Sequence, residues 1–422
     1  MNPVADNRDV TVRLESFVKE TRDGLWDLVA MWLPAIGRWR VRRADKLRQA
    51  GVEAYSKGDP SLAIRHFSEA LNWSPRDPEL HCDLAQVYYE RGQAVEAERE
   101  YRQALEYDHH HQRALKGLGF VSQQNGRQDE ALYNFLRFLE KDDRDVSVLI
   151  NTGVALHDSG NYSDALHYYE RAEALDPKNP LIRENRARVL YALGNIDDAI
   201  RAVRASLELD WTNARAHAFM GTLLEAKGDW EAARAAYEET IAQDGQNAAA
   251  RLQLARILSV HHEEQKALDH ALRALETLRS GASDTDLLVT AYSNLGWYHY
   301  RLGQLEQSVR ASREALQVDP KHFQTRFNLA LALLESGQPD RAFEEYRTGA
   351  AELSLASDLN KWAIEDLEQA LVKKPDLPQG DQILQMLNTQ YEGMLRTRGL
   401  VPHPNGTVSA PPRSPPSDGK TE

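Results

Sequence analysis

The sequence contains very little cysteine and no long apolar run. Cys82 is the one cysteine among 422 residues, which excludes an intramolecular disulfide and a cysteine-rich zinc site and suits a reducing compartment. No apolar stretch reaches the about 20 residues that a membrane-spanning helix needs. These absences predict a soluble, cytoplasmic protein.

An excess of positive charge is also missing. The formal net charge is −13, which argues against a chain whose main role is to bind the phosphates of a nucleic acid. Apolar residues make up 42% and charged residues 27% of the sequence. These fractions are ordinary for a folded soluble protein, and they exclude wholesale disorder.

The motifs of the common catalytic sites are absent as well. The sequence has no phosphate-binding Gly-Lys-Ser/Thr loop, no His-Glu-x-x-His pair and no Gly-x-Ser-x-Gly turn. We expect residues 109–111, three consecutive histidines, to form a solvated loop, and Cys82 to be an ordinary surface or groove residue. The sequence therefore predicts no enzyme, no metal and no cofactor. The alternatives are a regulatory subunit of an enzyme complex, or a hydrolase built on Cys82 if a base lies beside the thiol.

What the sequence does contain is a repeat of 34 residues. Glycine recurs with this spacing at Gly58, Gly92, Gly126, Gly160, Gly194 and Gly228. Alanine recurs five residues after each of these turn positions, at Ala63, Ala97, Ala131, Ala165, Ala199 and Ala233, and once more with the same spacing at Ala267. A fixed period of this length indicates a repeat architecture, in which each unit packs on its neighbours.

Each period predicts two short helices. In the fourth period, apolar residues recur at helical spacing from Val148 to Leu156, and glycine at Gly160 then breaks the helix. A second apolar stripe runs from Ala165 to Leu175 and ends before Pro177. Small residues near the middle of the first helix leave room for an aromatic residue of the second helix.

This pattern resembles the tetratricopeptide repeat family. The family prefers small residues at positions 8, 20 and 27 of its unit, an aromatic residue at 24 and proline at 32. The first unit has all of these, as Gly51, Ala63, Ala70, Phe67 and Pro75. The resemblance covers about nine units in residues 44–356, with an irregularity around 279–286. It implies an all-α fold, an α-solenoid whose superhelix has a concave groove.

The resemblance also implies where a partner binds. In this family an asparagine at position 6 often hydrogen-bonds the main chain of an extended peptide. The matching asparagines here are Asn151, Asn185, Asn294 and Asn328. Neighbouring groove positions carry aromatic residues suited to interface anchors, namely Tyr55, Tyr89, Tyr191, Trp297 and Tyr300. Cations at groove positions point to a partner with acidic stretches, and include Arg113, Lys116, Arg188, Arg215 and Arg256.

The N-terminal segment, residues 1–43, predicts an amphipathic helix followed by a basic linker. Apolar residues form one stripe over residues 10–33. The segment also carries tryptophans and arginines of the kind found on interfacial membrane helices, including Trp26, Trp32, Trp39, Arg38 and Arg40. Two interpretations remain open, contact with a membrane surface and a helix that caps the first repeat.

The C-terminal segment predicts an end to the array. Residues 357–398 have two helical apolar stripes, which we expect to form capping helices. Residues 399–422 are rich in proline and poor in large apolar residues, which predicts a disordered tail.

Taken as a whole, the sequence predicts a non-enzymatic scaffold or assembly factor. We expect it to hold a peptide segment or domain of one or more partner proteins in the groove, without nucleic acid. The alternative is a peripheral membrane organiser that uses residues 1–43 to place the array at the cytoplasmic surface. Self-association through terminal units or weakly matching units is a further alternative.

Overall fold

The structure is a computed structural model of the chain. It describes residues 34–281, 284–353, 355–397, 401–402 and 408–409. The predicted amphipathic helix of residues 10–33, with Trp26 and Trp32, lies outside the described residues. So does most of the predicted disordered tail. The described chain divides into two compact units, with the boundary in the sequence between residues 209 and 210.

The first unit consists of paired helices. They are α1 (Pro34–Ser56), α2 (Pro60–Trp73), α3 (Pro78–Glu90), α4 (Ala94–Tyr107), α5 (Gln112–Gln124), α6 (Gln128–Leu139), α7 (Val146–Asp158), α8 (Tyr162–Leu175), α9 (Pro180–Ala192) and α10 (Ile196–Leu207). Each odd-numbered helix packs on the even-numbered helix that follows, and each pair packs on the next. Residues 34–43 were expected to include a linker. They are instead helical and form the first part of α1, which begins at Pro34.

The second unit continues the same pairing. Its helices are α11 (Ala214–Lys227), α12 (Trp230–Gln243), α13 (Ala248–Val260), α14 (Glu264–Ser280), α15 (Thr285–Arg301), α16 (Leu305–Val318), α17 (Phe323–Glu335), α18 (Pro339–Glu352), α19 (Ala356–Leu359), a π-helix (Asn360–Ile364), α20 (Glu365–Lys373) and α21 (Gly380–Thr397). A pair of two-residue strands follows, β1 (Val401–Pro402) and β2 (Val408–Ser409). The all-α solenoid of helix pairs predicted from the repeat is confirmed.

Glycine at the centre of the first helix lets the paired helices approach closely. A β-carbon on Gly51 would lie 2.6 Å from the ring of Phe67 in α2, and one on Gly153 would lie 2.5 Å from the ring of Tyr169 in α8. Both rings are almost fully buried. The small residues and the aromatic residues that recur in the sequence are therefore the two sides of the packing contact within these pairs.

The turn between paired helices requires a left-handed residue. Gly160, for example, has a φ of 77°, a conformation that glycine adopts without steric cost. His262 holds the corresponding place in the seventh pair with a φ of 63°. The irregularity predicted around residues 279–286 lies where two long helices follow each other. The extra residues lengthen these helices, α14 and α15, which have 17 residues each.

The C-terminal helices cover the end of the ninth pair. Leu359, Leu367 and Ile383 are buried in the same apolar cluster as Phe327 and Tyr346 of α17 and α18. These helices thus supply the apolar contacts that a tenth pair would have made.

Candidate functional site

The first helices of neighbouring pairs contact each other within each unit. In the first unit this holds for α3, α5, α7 and α9, and in the second for α13, α15 and α17. We call the surface that these helices present the first-helix face of each unit. The residues predicted to bind a partner lie on these helices or on α1 and α11.

A cavity of about 380 Å³ opens between α3 and α5 on the first-helix face of the first unit. It is lined by Cys82, Gln86, Tyr89, Tyr101, Arg113, Lys116, Gly117 and Phe120. Only Tyr89, Arg113 and Lys116 of this set were predicted to face a partner.

Gly117 and Tyr101 form part of the cavity wall. Gly117 stands at position 6 of its repeat, where four other repeats have asparagine. A β-carbon there would lie 2.2 Å from Cζ of Tyr101, so the tyrosine ring occupies the space of that side chain. The hydroxyl of Tyr101 donates a hydrogen bond to Oε1 of Gln86 at 3.1 Å.

The Cys82 thiol lies against His111 and is not a surface group. Cys82 is 1% exposed, and its Sγ is 3.4 Å from Nδ1 of His111. His111 caps α5, since its Nδ1 accepts from the backbone N–H of Ala114. Because Nδ1 is an acceptor, Nε2 carries the proton and donates to Oε1 of Glu79 at 3.1 Å.

One expectation is corrected by this arrangement, and one alternative loses support. His109 and His110 are exposed as predicted, but His111 is half-buried, because its ring serves as the helix cap. The thiol has a base beside it, yet burial raises the pKa of Cys82 to about 12. A thiol held neutral in this way is not a nucleophile at neutral pH, so the geometry does not support a hydrolase built on Cys82.

A network of charged groups joins the first three pairs beside this cavity. The guanidinium of Arg48 in α1 donates to Asp83 at 2.5 Å and to Glu79 at 3.1 Å. Arg113 in α5 donates to the same two carboxylates at 2.8 Å and 2.6 Å. Burial opposes ionisation of Glu79, but the hydrogen bond and charge of Arg113 hold its pKa below the usual value.

Lys116 joins the cavity to the fourth pair. Its Nζ donates to Oδ2 of Asp145 at 2.5 Å and lies 6.0 Å and 5.9 Å from the ring centroids of Phe120 and Phe138. Such distances are those of cation–π contacts. Arg113 and Lys116, the two cations predicted to face a partner here, therefore line the cavity and also hold neighbouring helices together.

The four asparagines differ in their surroundings. Asn151 donates to the carbonyl of Ser147 in its own helix at 2.7 Å. The side chains of Asn185 and Asn294 are half-buried and that of Asn328 is 6% exposed. In the part of the chain that the structure describes, no hydrogen bond is formed by the side chains of these last three. Each keeps both a donor and an acceptor for another molecule.

The predicted aromatic and arginine residues are mostly engaged within the fold. Trp297 and Tyr300 lie with ring centroids 5.5 Å apart, and the hydroxyl of Tyr300 donates to Glu335 at 2.5 Å. Tyr55 packs against the apolar core of the first pairs, whereas Tyr191 is 38% exposed. Arg188 donates to Glu184 at 2.8 Å, Arg256 donates to Glu225, and Arg215 is exposed.

At the start of α1, Trp39 is part of the first helix pair. Its ring meets that of Trp73 in α2 edge to face, with centroids 5.2 Å apart. This contact uses the ring predicted to touch a membrane. Arg38 and Arg40 lie in the same helix. Among the described helices, none is long and apolar enough to cross a membrane, and the described residues hold no group of three or more metal-ligating side chains.

Two family models, both described as tetratricopeptide repeat, match the chain. One matches residues 54–119 and 156–223, and the other matches residues 220–284 and 293–354. Together they span more than half of the chain. Comparison with curated proteins gives no match.

Solved structures of repeat proteins are similar to the chain. A tetratricopeptide repeat protein of Parabacteroides merdae has a TM-score of 0.51 and 18% identity, over 59% of this chain and 99% of its own. PilF of Pseudomonas aeruginosa has a TM-score of 0.42 and 26% identity, over 49% and 93%. YrrB, a TPR protein with an unusual peptide-binding site, has a TM-score of 0.38 and 23% identity, over 44% and 95%. With its helix pairs, its small and aromatic columns and the two family models that match it, the chain belongs to the tetratricopeptide repeat family.

Proposed function

We propose that the protein is a non-enzymatic interaction scaffold whose first-helix faces bind an extended peptide segment of a partner protein. The observation that carries this proposal is that the side-chain amides of Asn185, Asn294 and Asn328 have no hydrogen-bond partner within the described residues. Their carboxamides lie on first helices and form no hydrogen bond within the described residues. The carboxamides therefore keep donors and acceptors for another molecule, and the backbone of an extended peptide offers a matching acceptor and donor to each of them.

The binding experiment starts from capture of partners in the native host. Segments of a captured protein are then synthesised as overlapping peptides, and their dissociation constants are measured by fluorescence anisotropy. We expect one short segment to bind. Because Asn185 belongs to the first unit and the other two to the second, Asn185→Ala is tested separately from the double variant Asn294→Ala with Asn328→Ala. The unit that holds the peptide should lose about tenfold in affinity, or about 1.4 kcal/mol.

Asn151→Ala is the matched control. Its amide already donates to Ser147 within the same helix, so we expect a smaller loss of affinity than for Asn185→Ala. Full binding by folded variants of all three unpaired asparagines would contradict the proposal. Far-UV circular dichroism checks that each variant keeps its helix content.

A second candidate function, recruitment to a membrane surface, is favoured by the exposed side of α1. Val41 is 53% exposed there, next to the exposed side chains of Arg42, Asp45 and Lys46, and the apolar residue with its two cations suits an anionic lipid surface. The test is the triple variant Val41→Ser, Arg42→Glu and Lys46→Glu, which changes this exposed side of α1 and spares the contact between Trp39 and Trp73. Release of the variant from the membrane fraction would support this candidate, and an unchanged distribution would exclude it.

A further inference from the structure

A basic side chain at the fourth residue of the first helix recurs in five helix pairs. In each of them it is hydrogen-bonded to the backbone carbonyl of the residue three positions before that helix begins. The five basic residues are His81, Arg183, His217, Arg251 and Arg326, and their carbonyl partners belong to Pro75, Pro177, Trp211, Gly245 and Pro320. The contact holds the turn between two pairs against the helix that follows it.

Two of these basic residues also contact a carboxylate on the second helix of their own pair. Arg326 donates from Nη1 to Oε2 of Glu345 in α18 at 2.9 Å. Nδ1 of His81 lies 2.7 Å from Oε2 of Glu100 in α4. Each glutamate follows its basic partner by 19 residues, so the two pairs are at equivalent places in their repeats. In α3 a histidine therefore makes the two contacts that a permanently charged arginine makes in α17.

Both ring nitrogens of His81 face groups that only accept hydrogen bonds. Nε2 lies 3.0 Å from the carbonyl oxygen of Pro75. Burial opposes ionisation of Glu100, but hydrogen bonds from His81 and Arg99 hold the pKa of this carboxyl below its usual value. The ionised carboxylate is an acceptor only, and a neutral imidazole has a single N–H donor. The two contacts together therefore require a ring that is protonated on both nitrogens.

The charged pair of His81 and Glu100 is buried, since each residue is 7% exposed. Three neighbours are titratable or charged. Arg99 donates to Oε1 of Glu100 at 2.9 Å, the ring of Tyr107 lies 5.6 Å from that of His81, and burial and the charge of Glu100 raise the pKa of Tyr88. Among the described residues, α2 and α5 place no hydrogen-bonding or ion-pairing side chain on either member. Loss of the ring proton would therefore leave Glu100 without its closest cation, and breaking a buried ion pair is costly.

We propose that His81 and Glu100 form a pH-sensitive clasp, which ties α3 and the turn before it to α4 while the His81 ring is protonated and loosens when the ring loses that proton. The folded chain then binds the proton more tightly than the unfolded chain, so the stabilisation is complete at low pH and is lost as the pH rises. Histidine charge changes between about pH 5 and pH 8, where Glu100 stays ionised. Because α3 is part of the first-helix face, this face of the first unit becomes sensitive to pH.

The protonation of the ring is measured by nitrogen NMR of the full-length protein with isotope-labelled histidine. His217 is the internal control. Its Nε2 donates to the carbonyl of Trp211 at 2.8 Å, and its Nδ1 has no hydrogen-bond partner among the described residues, so a neutral ring satisfies it. The variants His81→Arg and His217→Arg identify the two signals by their loss. We expect the His81 ring to stay doubly protonated to a higher pH than the His217 ring, and the reverse order or no difference would overturn the proposal.

Amide hydrogen exchange measures whether the proton holds the clasp. Protection of the amides at the start of α3 is compared in the wild type, His81→Arg and His81→Leu at about pH 5 and about pH 8. Arginine stands at this place in the ninth pair, and leucine stands there in the third and fourth pairs, as Leu115 and Leu149. The wild type should match His81→Arg at the lower pH. At the higher pH it should approach His81→Leu, with about tenfold less protection than His81→Arg.

Three results of the exchange experiment would overturn the proposal. They are a wild type that matches His81→Arg at both pH values, a wild type that matches His81→Leu at both, and equal protection in the two variants. His217→Leu is the matched control, because it makes the same change at the same place of the sixth pair, and its effect on the start of α11 should not depend on pH. If His81→Leu fails to fold, His81→Gln keeps one donor and takes its place. Each of these results leaves the proposed function standing, since peptide binding by the asparagines does not require the clasp.

Discussion

Tyr101 of the second repeat takes the place of a side chain at Gly117 of the third, because a β-carbon on residue 117 would lie 2.2 Å from Cζ of the tyrosine ring. The contact crosses from one repeat to the next. In the first repeat, by contrast, the aromatic ring of Phe67 lies on Gly51 of its own pair. Tyr101 and Gly117 both line the cavity beside Cys82.

Gly117→Ala should therefore destabilise the protein. Alanine is favoured over glycine in a helix by about 1 kcal/mol, but overpacking against a buried ring costs about 1–3 kcal/mol, and a methyl group this close forces Tyr101 to move. We expect a net loss of up to about 2 kcal/mol, with lower affinity for any ligand of the cavity. The midpoint of urea unfolding measures the first effect.

Gly393→Ala is the control for helix propensity. Gly393 also lies inside a helix, α21, but a β-carbon there would meet nothing within 4 Å. The same substitution should therefore stabilise the protein, by about 0.5–1 kcal/mol. Equal shifts of the midpoint in the two variants would mean that the contact between Tyr101 and residue 117 has no energetic weight.

The recurring glycine, alanine and aromatic residues predicted the fold because they stand at the turn and packing positions of the helix pairs. The cavity was not predicted, since it depends on how Tyr101, Gly117 and the other side chains between α3 and α5 pack together. A further column was missed. From α3 onward, the residue before each first helix caps that helix, as Asp77 and Asp145 do, and His111 stands at that same place. This spacing would have predicted that His111 is a capping residue.

The chemical state of Cys82 could not be predicted from the sequence, because it depends on burial. A pKa of about 12 in place of 9.0 leaves about a thousandfold less thiolate at a given pH below both values. We predict that iodoacetamide does not alkylate the folded protein near neutral pH within the time in which it alkylates the urea-unfolded chain. Mass spectrometry of the intact protein follows the reaction.

Rapid alkylation of the folded chain would show a thiolate, and would revive the interpretation of Cys82 as a nucleophile. His111→Gln serves as the comparison, because it removes the base beside the thiol. If burial alone suppresses the reaction, the variant reacts no faster than the wild type as long as it stays folded.

Ser308 and Ser206 test the cost of an unpaired hydroxyl. Ser308 is fully buried, and its Oγ has no hydrogen-bond partner among the described residues. Ser206 is also buried, but its Oγ donates to the carbonyl of Pro180 at 2.8 Å. We expect Ser308→Ala to stabilise the protein by about 1 kcal/mol and Ser206→Ala to destabilise it by about the same amount. Urea midpoints that shift in the same direction for both variants would contradict this assignment.

Asp366 in α20 makes the stability of the second unit depend on pH. Burial, and then the charge of Glu365, raise the pKa of Asp366 to about 6 from 3.8, against the opposing charge of Arg301. The folded state therefore binds this proton more tightly than the unfolded chain does. The stabilisation that protonation gives is complete below about pH 4 and is lost as the pH rises through about 6.

Asp366→Asn removes this titration. At neutral pH the variant should be more stable than the wild type, by about 1–3 kcal/mol, since each unit of pKa shift corresponds to 1.36 kcal/mol. Near pH 4 the two proteins should differ little. The control is Glu368→Gln, which neutralises an exposed carboxylate of the same helix and should change stability by less than about 0.5 kcal/mol. The midpoint of urea unfolding is measured for each protein at the two pH values. If Asp366→Asn gains the same stability over the wild type at both, this carboxylate is not the titrating group.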